Sequence, residues 1–282
     1  MPPSVTLVRL FDRSWAAWRH GVGACRRKPS RRRVHALRVE CRRIEALIEV
    51  LRQATDTPSK PLRRLQEIAA EPLEALSTLR DDQVQVRRVK EAAAGSHLEA
   101  LCADVKRRRK RHAKRARRAL ADIDLAKADT AALDIRQSIV RHQGPPTPEQ
   151  RAQLLIAAAD RAAAEFALRM ARLEPSRPRT LHRLRVAAKR VRYVADIVAE
   201  IAPEVQIAAV ADVLALQRGL GHVHDAEVLA SRIDAVTARR HAPYKKDLRA
   251  FRATVIAERE QALAELSRTL PLLRLAAHRV EG

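Results

Sequence analysis

The sequence predicts an all-α protein, and three observations predict it. Apolar residues recur at helical rather than alternating spacing. Only seven of the 282 residues are glycine. The long stretches are built from Ala, Leu, Arg, Glu and Lys, which are strong helix formers. Hydrophobic residues make up 46% of the chain but aromatic ones only 2%, so the core must rest on Ala, Leu, Val and Ile. This length suits one large helical domain or two smaller ones.

The first element runs through MPPSVTLVRLFDRSWAAW. Leu7, Leu10, Phe11, Trp15 and Trp18 form a face to bury. Arg9, Asp12 and Arg13 interrupt the apolar pattern, so the segment reads as an amphipathic helix and not as a signal peptide. No run of about 18 apolar residues occurs, so no membrane-spanning helix is expected. Cys25, Cys41 and Cys102 are scattered and form no CxxC pair. That usage fits reduced thiols in the cytoplasm better than a disulfide framework or a zinc site.

An internal repeat comes next. Residues 34 to 43 read VHALRVECRR and residues 181 to 190 read LHRLRVAAKR. At an offset of 147, His35 meets His182, Arg38 meets Arg185, Val39 meets Val186, Arg42 meets Lys189 and Arg43 meets Arg190. Further on, Leu79-Arg80-Asp81, read as a helix end, corresponds roughly to Val223-His224-Asp225 at an offset near 144. Between the halves lies Gln143-Gly144-Pro145-Pro146-Thr147-Pro148, the strongest breaker cluster in the chain. The expected halves are residues 1–142 and 143–282, each with four or five helices. Thr55–Pro61, Ala202-Pro203 and His241-Ala242-Pro243 read as loops, and Ser30 and Thr180 as caps before the two His-containing helices. The simplest architecture is two helical bundles related by a pseudo-twofold.

Within the first His helix, Leu37, Cys41, Ile44, Ile48 and Leu51 share the core face. Arg31, His35, Arg38 and Arg42 form a stripe beside it. In the second, Leu184, Ala188, Val191 and Ala195 point inward, with His182, Arg185, Lys189 and Arg192 alongside and Tyr193 at the edge. Like charges one turn apart repel, so such a stripe makes sense when phosphates lie along it. Arg offers a bidentate fork and Lys a compact charge. A histidine gains its proton more readily beside phosphate.

Composition points the same way. Lys and Arg number 56 against 33 acidic residues, a net charge of +23. A charge of this size opposes compaction of the free chain, which implies a polyanionic partner. Ten of the thirteen residues in 106–118 are Lys or Arg, with Lys106, Arg109, Lys110 and Lys114 the candidates for a phosphate-facing side. The second half is milder, with Lys245, Lys246, Arg249, Arg252 and Arg259, of which Arg252 is the candidate contact. Residues 1–142 carry a net +16 and residues 143–282 a net +7, so the first half is expected to dominate affinity.

These residues resemble a CHAD domain, the conserved-histidine α-helical domain. The family's basic helix carries His-x-x-Arg-x-x-x-Arg/Lys-Arg in both halves of a duplicated helical domain. His35, Arg38, Arg42 and Arg43 match it, as do His182, Arg185, Lys189, Arg190, Arg192 and Tyr193. Leu79-Arg80-Asp81 resembles the family's Arg-Asp element, and Leu220 to Asp225 its Leu-Gly-x-x-x-Asp element. The resemblance covers nearly the whole chain. It implies a pair of four-helix bundles with a basic central cavity that binds inorganic polyphosphate, often at polyphosphate granules. Glu45 and Ala46 stand where the second copy has Arg192 and Tyr193, so the first copy lacks two polar members. Many relatives carry an attached triphosphate-tunnel enzyme, and no segment of that pattern occurs here. Binding without catalysis, and without a cofactor or metal, is therefore expected. The Leu79–Asp82 and Leu220–Asp225 elements are expected to tie helices together.

Two rivals share some features. A nucleic-acid binder fits the charge but lacks the aromatic stacking platforms of single-strand binders, and no helix-turn-helix or zinc-finger spacing occurs. Non-specific nucleic-acid binding at low salt is still expected. A metal-dependent phosphohydrolase could use His222, His224 and Asp225, with His182 nearby. That triplet instead reads as a helix start with Asp225 as its first-turn acid. A membrane partner is not expected, since no basic helix carries a large exposed aromatic face. Oligomeric state and preferred chain length are not encoded in any pattern found.

Overall fold

In the computed structural model, residues 3–54, 57–93, 98–141, 147–203, 205, 210–239 and 244–278 are described. Among them are nine helices and no strand. They are α1 (Pro3–Arg27), α2 (Arg31–Ala54), α3 (Ser59–Ala92), α4 (Glu99–Ala121), α5 (Leu125–Arg141), α6 (Pro148–Ala171), α7 (Pro178–Ile201), α8 (Val210–Thr237) and α9 (Lys245–His278). The breaker residues Gln143 to Pro146, Thr55-Asp56 and His241-Ala242-Pro243 lie outside the described residues. Ala202-Pro203 does follow a helix end, that of α7.

The chain forms two compact units interleaved along the sequence. The first comprises Met1–Leu76, Ala116–Leu168 and Ala187–Val210; the second comprises Ser77–Arg115, Arg169–Val186 and Ala211–Gly282. Neither unit coincides with residues 1–142 or 143–282.

In the first unit α1 packs on α2 and α5. Leu7, Leu10, Phe11 and Trp18 are buried as the helical spacing requires, while Trp15 is half-buried. Trp15 stacks on Trp18 with ring centroids 4.7 Å apart and sends Nε1–H to Asp129 at 3.2 Å. On α2, Leu37, Cys41, Ile44, Ile48 and Leu51 are all buried. A Cβ on Gly21 would meet the Leu37 side chain at 3.0 Å, so glycine sets the close approach of α1 to α2. Arg26 donates to the carbonyls of Leu120, at 2.8 Å, and Ile123, placing a cation at the C-terminal end of α4.

Pro72 lies inside α3. It has no N–H to offer the carbonyl four residues back, which interrupts the helical ladder. Side-chain donors serve carbonyls on either side of it. Trp18 Nε1–H donates to Ala69 O at 3.3 Å and Arg38 Nη1–H to Leu73 O at 2.9 Å.

The core of the second unit comes from four segments: Val86 and Val89 of α3; Leu98, just before α4, with Leu101 and Val105 of α4; Leu229, Ile233 and Val236 of α8; and Leu248 and Val255 of α9. Fully burying a residue of this kind contributes about 1.5–3 kcal/mol, so these positions hold the four segments in place. Gly219 of α8 faces Leu266 of α9, and a Cβ there would come within 2.8 Å of Leu266 Cδ2.

Three local expectations change. Ser30 does cap α2, accepting from Arg33 N at 3.4 Å. Thr180, however, lies inside α7, which begins at Pro178, where a missing N–H costs nothing. The Thr180 hydroxyl donates to Glu174 O at 2.7 Å and so ties down the preceding turn. Leu79-Arg80-Asp81 is interior to α3 and not at its end. His222, His224 and Asp225 likewise sit in the middle of α8, so Asp225 is not a first-turn acid. Leu216, Leu220 and Val223 are buried on both sides of the glycines, and this packing carries the helix through Gly219 and Gly221.

Candidate functional site

In the first unit the stripe on α2 is in place. Arg31 and His35 are exposed, and Arg38, Arg42 and Arg43 are half-buried. Arg38 is held by Leu73 O. Arg42 pairs with Glu45 one turn on, at 2.6 Å, so the acid that replaces a cation in this copy also occupies its neighbour. The later part of α7 brings Lys189, Arg190, Arg192 and Tyr193, all half-buried. Arg192 lies 4.5 Å over the Tyr193 ring, a cation–π stack, and 3.6 Å from Asp196. Burial pushes the Tyr193 phenol up from its ordinary value, with Arg192 and Arg42 opposing and Asp196 and Glu40 adding. Tyr193 therefore stays a neutral O–H donor.

Two ion pairs join these helices. Arg43 reaches Glu200, which also takes Arg13. Arg190 reaches Glu49 at 2.5 Å, and Glu49 is almost fully buried, with Arg52 3.5 Å away. The order of the pairs shows that α2 and this part of α7 run antiparallel. Arg43 and Arg190 are matched positions of the sequence repeat, and each crosses to a carboxylate on the other helix.

In the second unit His182 of α7 is exposed and Arg185 half-buried. The His182 and His224 rings are 6.2 Å apart between centroids and tilted by 51°. They border a groove of about 560 Å³ whose lining includes Arg108, Arg179, Arg183, Glu227, Ser231 and Arg232. Arg232 is anchored from below by Asp82 of α3, which is fully buried and also takes His112 Nδ1–H at 2.5 Å. Burial lowers the tendency of His224 to hold a proton. Arg185 and His182 act in the same direction, while Asp225 and Glu227 oppose them.

The remaining candidates lie away from this groove's lining. Lys106, Lys110 and Lys114 are exposed along α4, and Arg109 is half-buried. Arg252 of α9 forks onto Asp234 of α8 at 2.5 and 3.1 Å. Among the described residues no group of three or more His, Cys, Asp or Glu side chains is placed to hold a metal ion. His222 and Asp225 line a separate groove of about 400 Å³ with Arg88, Glu258 and Glu265.

The family model for the CHAD domain matches residues 9–234, most of the chain. The chain belongs to the CHAD domain family. Its fold is similar to the crystal structure of the CHAD domain from the plant Ricinus communis, with a TM-score of 0.67 over 94% of this chain and 89% of that one at 18% identity. It is also similar to PptA from Streptomyces chartreusis, with a TM-score of 0.60 over 95% and 99% at 18% identity. No curated protein matches it. Likenesses at this identity speak for the CHAD fold.

Sequence reasoning missed four arginines that line the groove beside His182 and His224: Arg108, Arg179, Arg183 and Arg232. Arg179 and Arg183 flank His182 in sequence, and Arg108 sits within the basic run, so local signals existed for those three. Arg232 had none, because its placement depends on Asp82, 150 positions earlier in the chain.

Proposed function

We propose that this protein binds inorganic polyphosphate, along a cationic channel lined by the His/Arg stripes of two duplicated helical halves related by a pseudo-twofold. The CHAD family is linked to polyphosphate binding generally. The observation that carries the reading for this chain is the pair of half-buried cation rows on α2 and α7. Arg38, Arg42 and Arg192 are held in position by a carbonyl, carboxylates and an aromatic ring, and Lys189 is half-buried. Donors fixed before the ligand arrives lose less entropy on binding. The reciprocal crossing of Arg43 and Arg190 supports the duplication.

Direct contacts come from Arg31, His35, Arg38, Arg42, Lys189, Arg192 and Tyr193, and from His182 and Arg185. Each of Arg43 and Arg190 reaches phosphate with the donors that its carboxylate leaves, since a guanidinium has five. Arg252, paired to Asp234, and the exposed cations of α4 add long-range attraction. The role is binding, without hydrolysis, in a cytoplasmic protein at polyphosphate granules.

The test is a pair of charge reversals, Arg38→Glu with Arg185→Glu, in a competition between long-chain polyphosphate and DNA of equal charge at physiological salt. Wild type should prefer polyphosphate. The double variant should lose that preference and most of its affinity while keeping its helicity. Equal preference for DNA in wild type would make the surface a generic anion patch, and retained affinity in the variant would remove the two stripes from the site.

A further inference from the structure

We infer that the groove bordered by the start of α7 and by α8 in the second unit binds a short run of condensed phosphate, and that binding there takes up a proton at the imidazole of His224, beside His182. The inference rests on the polyphosphate reading and adds to it a defined subsite and a pH response. The groove's volume, about 560 Å³, falls in the range of small-molecule sites, roughly 300–1,000 Å³. It holds several linked phosphates rather than one.

Four arginines line it, Arg108 from α4, Arg179 and Arg183 from α7 and Arg232 from α8, against a single acid, Glu227. Glu227 is itself engaged by Arg259 at 2.9 Å. Arg232 is held on the fully buried Asp82, so its guanidinium is fixed before ligand arrives. The two imidazoles, 6.2 Å apart, are near enough to donate to the same phosphate or to adjacent ones.

The electrostatics set the direction of the proton. The groups that act on His224 are Arg185 and His182 on α7 and Asp225 and Glu227 on its own helix, and the arginines, including Arg108 of α4, line the same groove. Burial, Arg185 and His182 together outweigh the two acids, so without ligand His224 is neutral at pH 7. Phosphate reverses that balance by placing negative charge beside the rings, and the histidine becomes a cationic donor. The bound form then holds a proton that the free form lacks. Affinity must rise as pH falls through the bound-state pKa and level off below the free-state one. For one linked proton the slope reaches at most about tenfold per pH unit.

The experiment is calorimetric titration of the full chain with tripolyphosphate and with long-chain polyphosphate, in buffers of different ionisation enthalpy, between pH 8 and 6.5. Wild type should take up protons and bind several-fold tighter at pH 6.5. His224→Gln should lose most of the uptake and flatten the slope, whereas His222→Gln, altered in the neighbouring groove, should keep both. A second variant guards against a folding defect. Ser231→Glu, at an exposed position, places a permanent carboxylate in the groove; it should remove the uptake and weaken tripolyphosphate. Tight binding with no proton uptake, or full uptake in His224→Gln, overturns this inference and leaves the polyphosphate reading standing. No polyphosphate binding at all overturns both.

Discussion

Arg43 and Arg190 look alike in sequence to Arg38 and Lys189, yet their surroundings give them a second task. Each spans two helices to reach a carboxylate, and Glu49, the partner of Arg190, is almost fully buried. A buried carboxylate that loses its partner costs far more than an exposed pair gains. Arg52, 3.5 Å away, recovers only part of that loss. Arg190→Ala should therefore destabilise the fold by about 1–3 kcal/mol, seen as a lower midpoint in urea. Arg42→Ala, whose partner Glu45 is half-exposed on the same helix, should weaken polyphosphate binding with little loss of stability. Unchanged stability in Arg190→Ala with a large loss of affinity would reverse this division.

At the scale of elements, what the sequence carried is what is written locally. Helical class, the core faces of α2 and α7 and the apolar face of α1 followed from local periodicity, and the motifs of His, Arg and Lys carried the resemblance to the family. Those signals are local, because one helix face is written every three or four residues. What could not be read depends on distant contacts. The interior placement of His222–Asp225 in α8 follows from the packing of Leu216, Leu220 and Val223, which overrides two glycines. The groove depends on Asp82 holding Arg232. Helix α4 lies between these cases. Its charge was plain, but which cations line a groove was not: Arg108 does, while Lys106, Lys110 and Lys114 stay exposed. If those three lysines touch the ligand at all, they act as point charges on a flexible phosphate string. Changing all three to Gln should then lower affinity and flatten the dependence of log affinity on log salt by about 2, near 0.7 for each lost contact on a single-stranded polyanion. A slope unchanged from wild type would confine the contacts to α2, α7 and the groove.

Across the whole molecule, the charge of +23 works against the fold that displays it. Stripes on α2 and α7 and the run on α4 place cations side by side, and the ion pairs found, such as Arg136 with Asp12 and Arg239 with Asp104, use only part of the excess. Folding therefore concentrates positive charge, so any condition that screens or neutralises it favours the folded form. Two agents should do this differently. Sodium chloride screens all cations alike and should raise the melting temperature gradually. Polyphosphate binds the folded state, and at a hundredfold excess over its dissociation constant it should add about 2.7 kcal/mol. Melting curves in low and physiological salt, with and without polyphosphate, separate the effects. A polyphosphate shift that persists at physiological salt belongs to a site whose donors are fixed and partly desolvated, as Arg38, Arg192 and Arg232 are. A shift that disappears there, leaving only the salt effect, would mean that the arrangement of these cations matters less than their number.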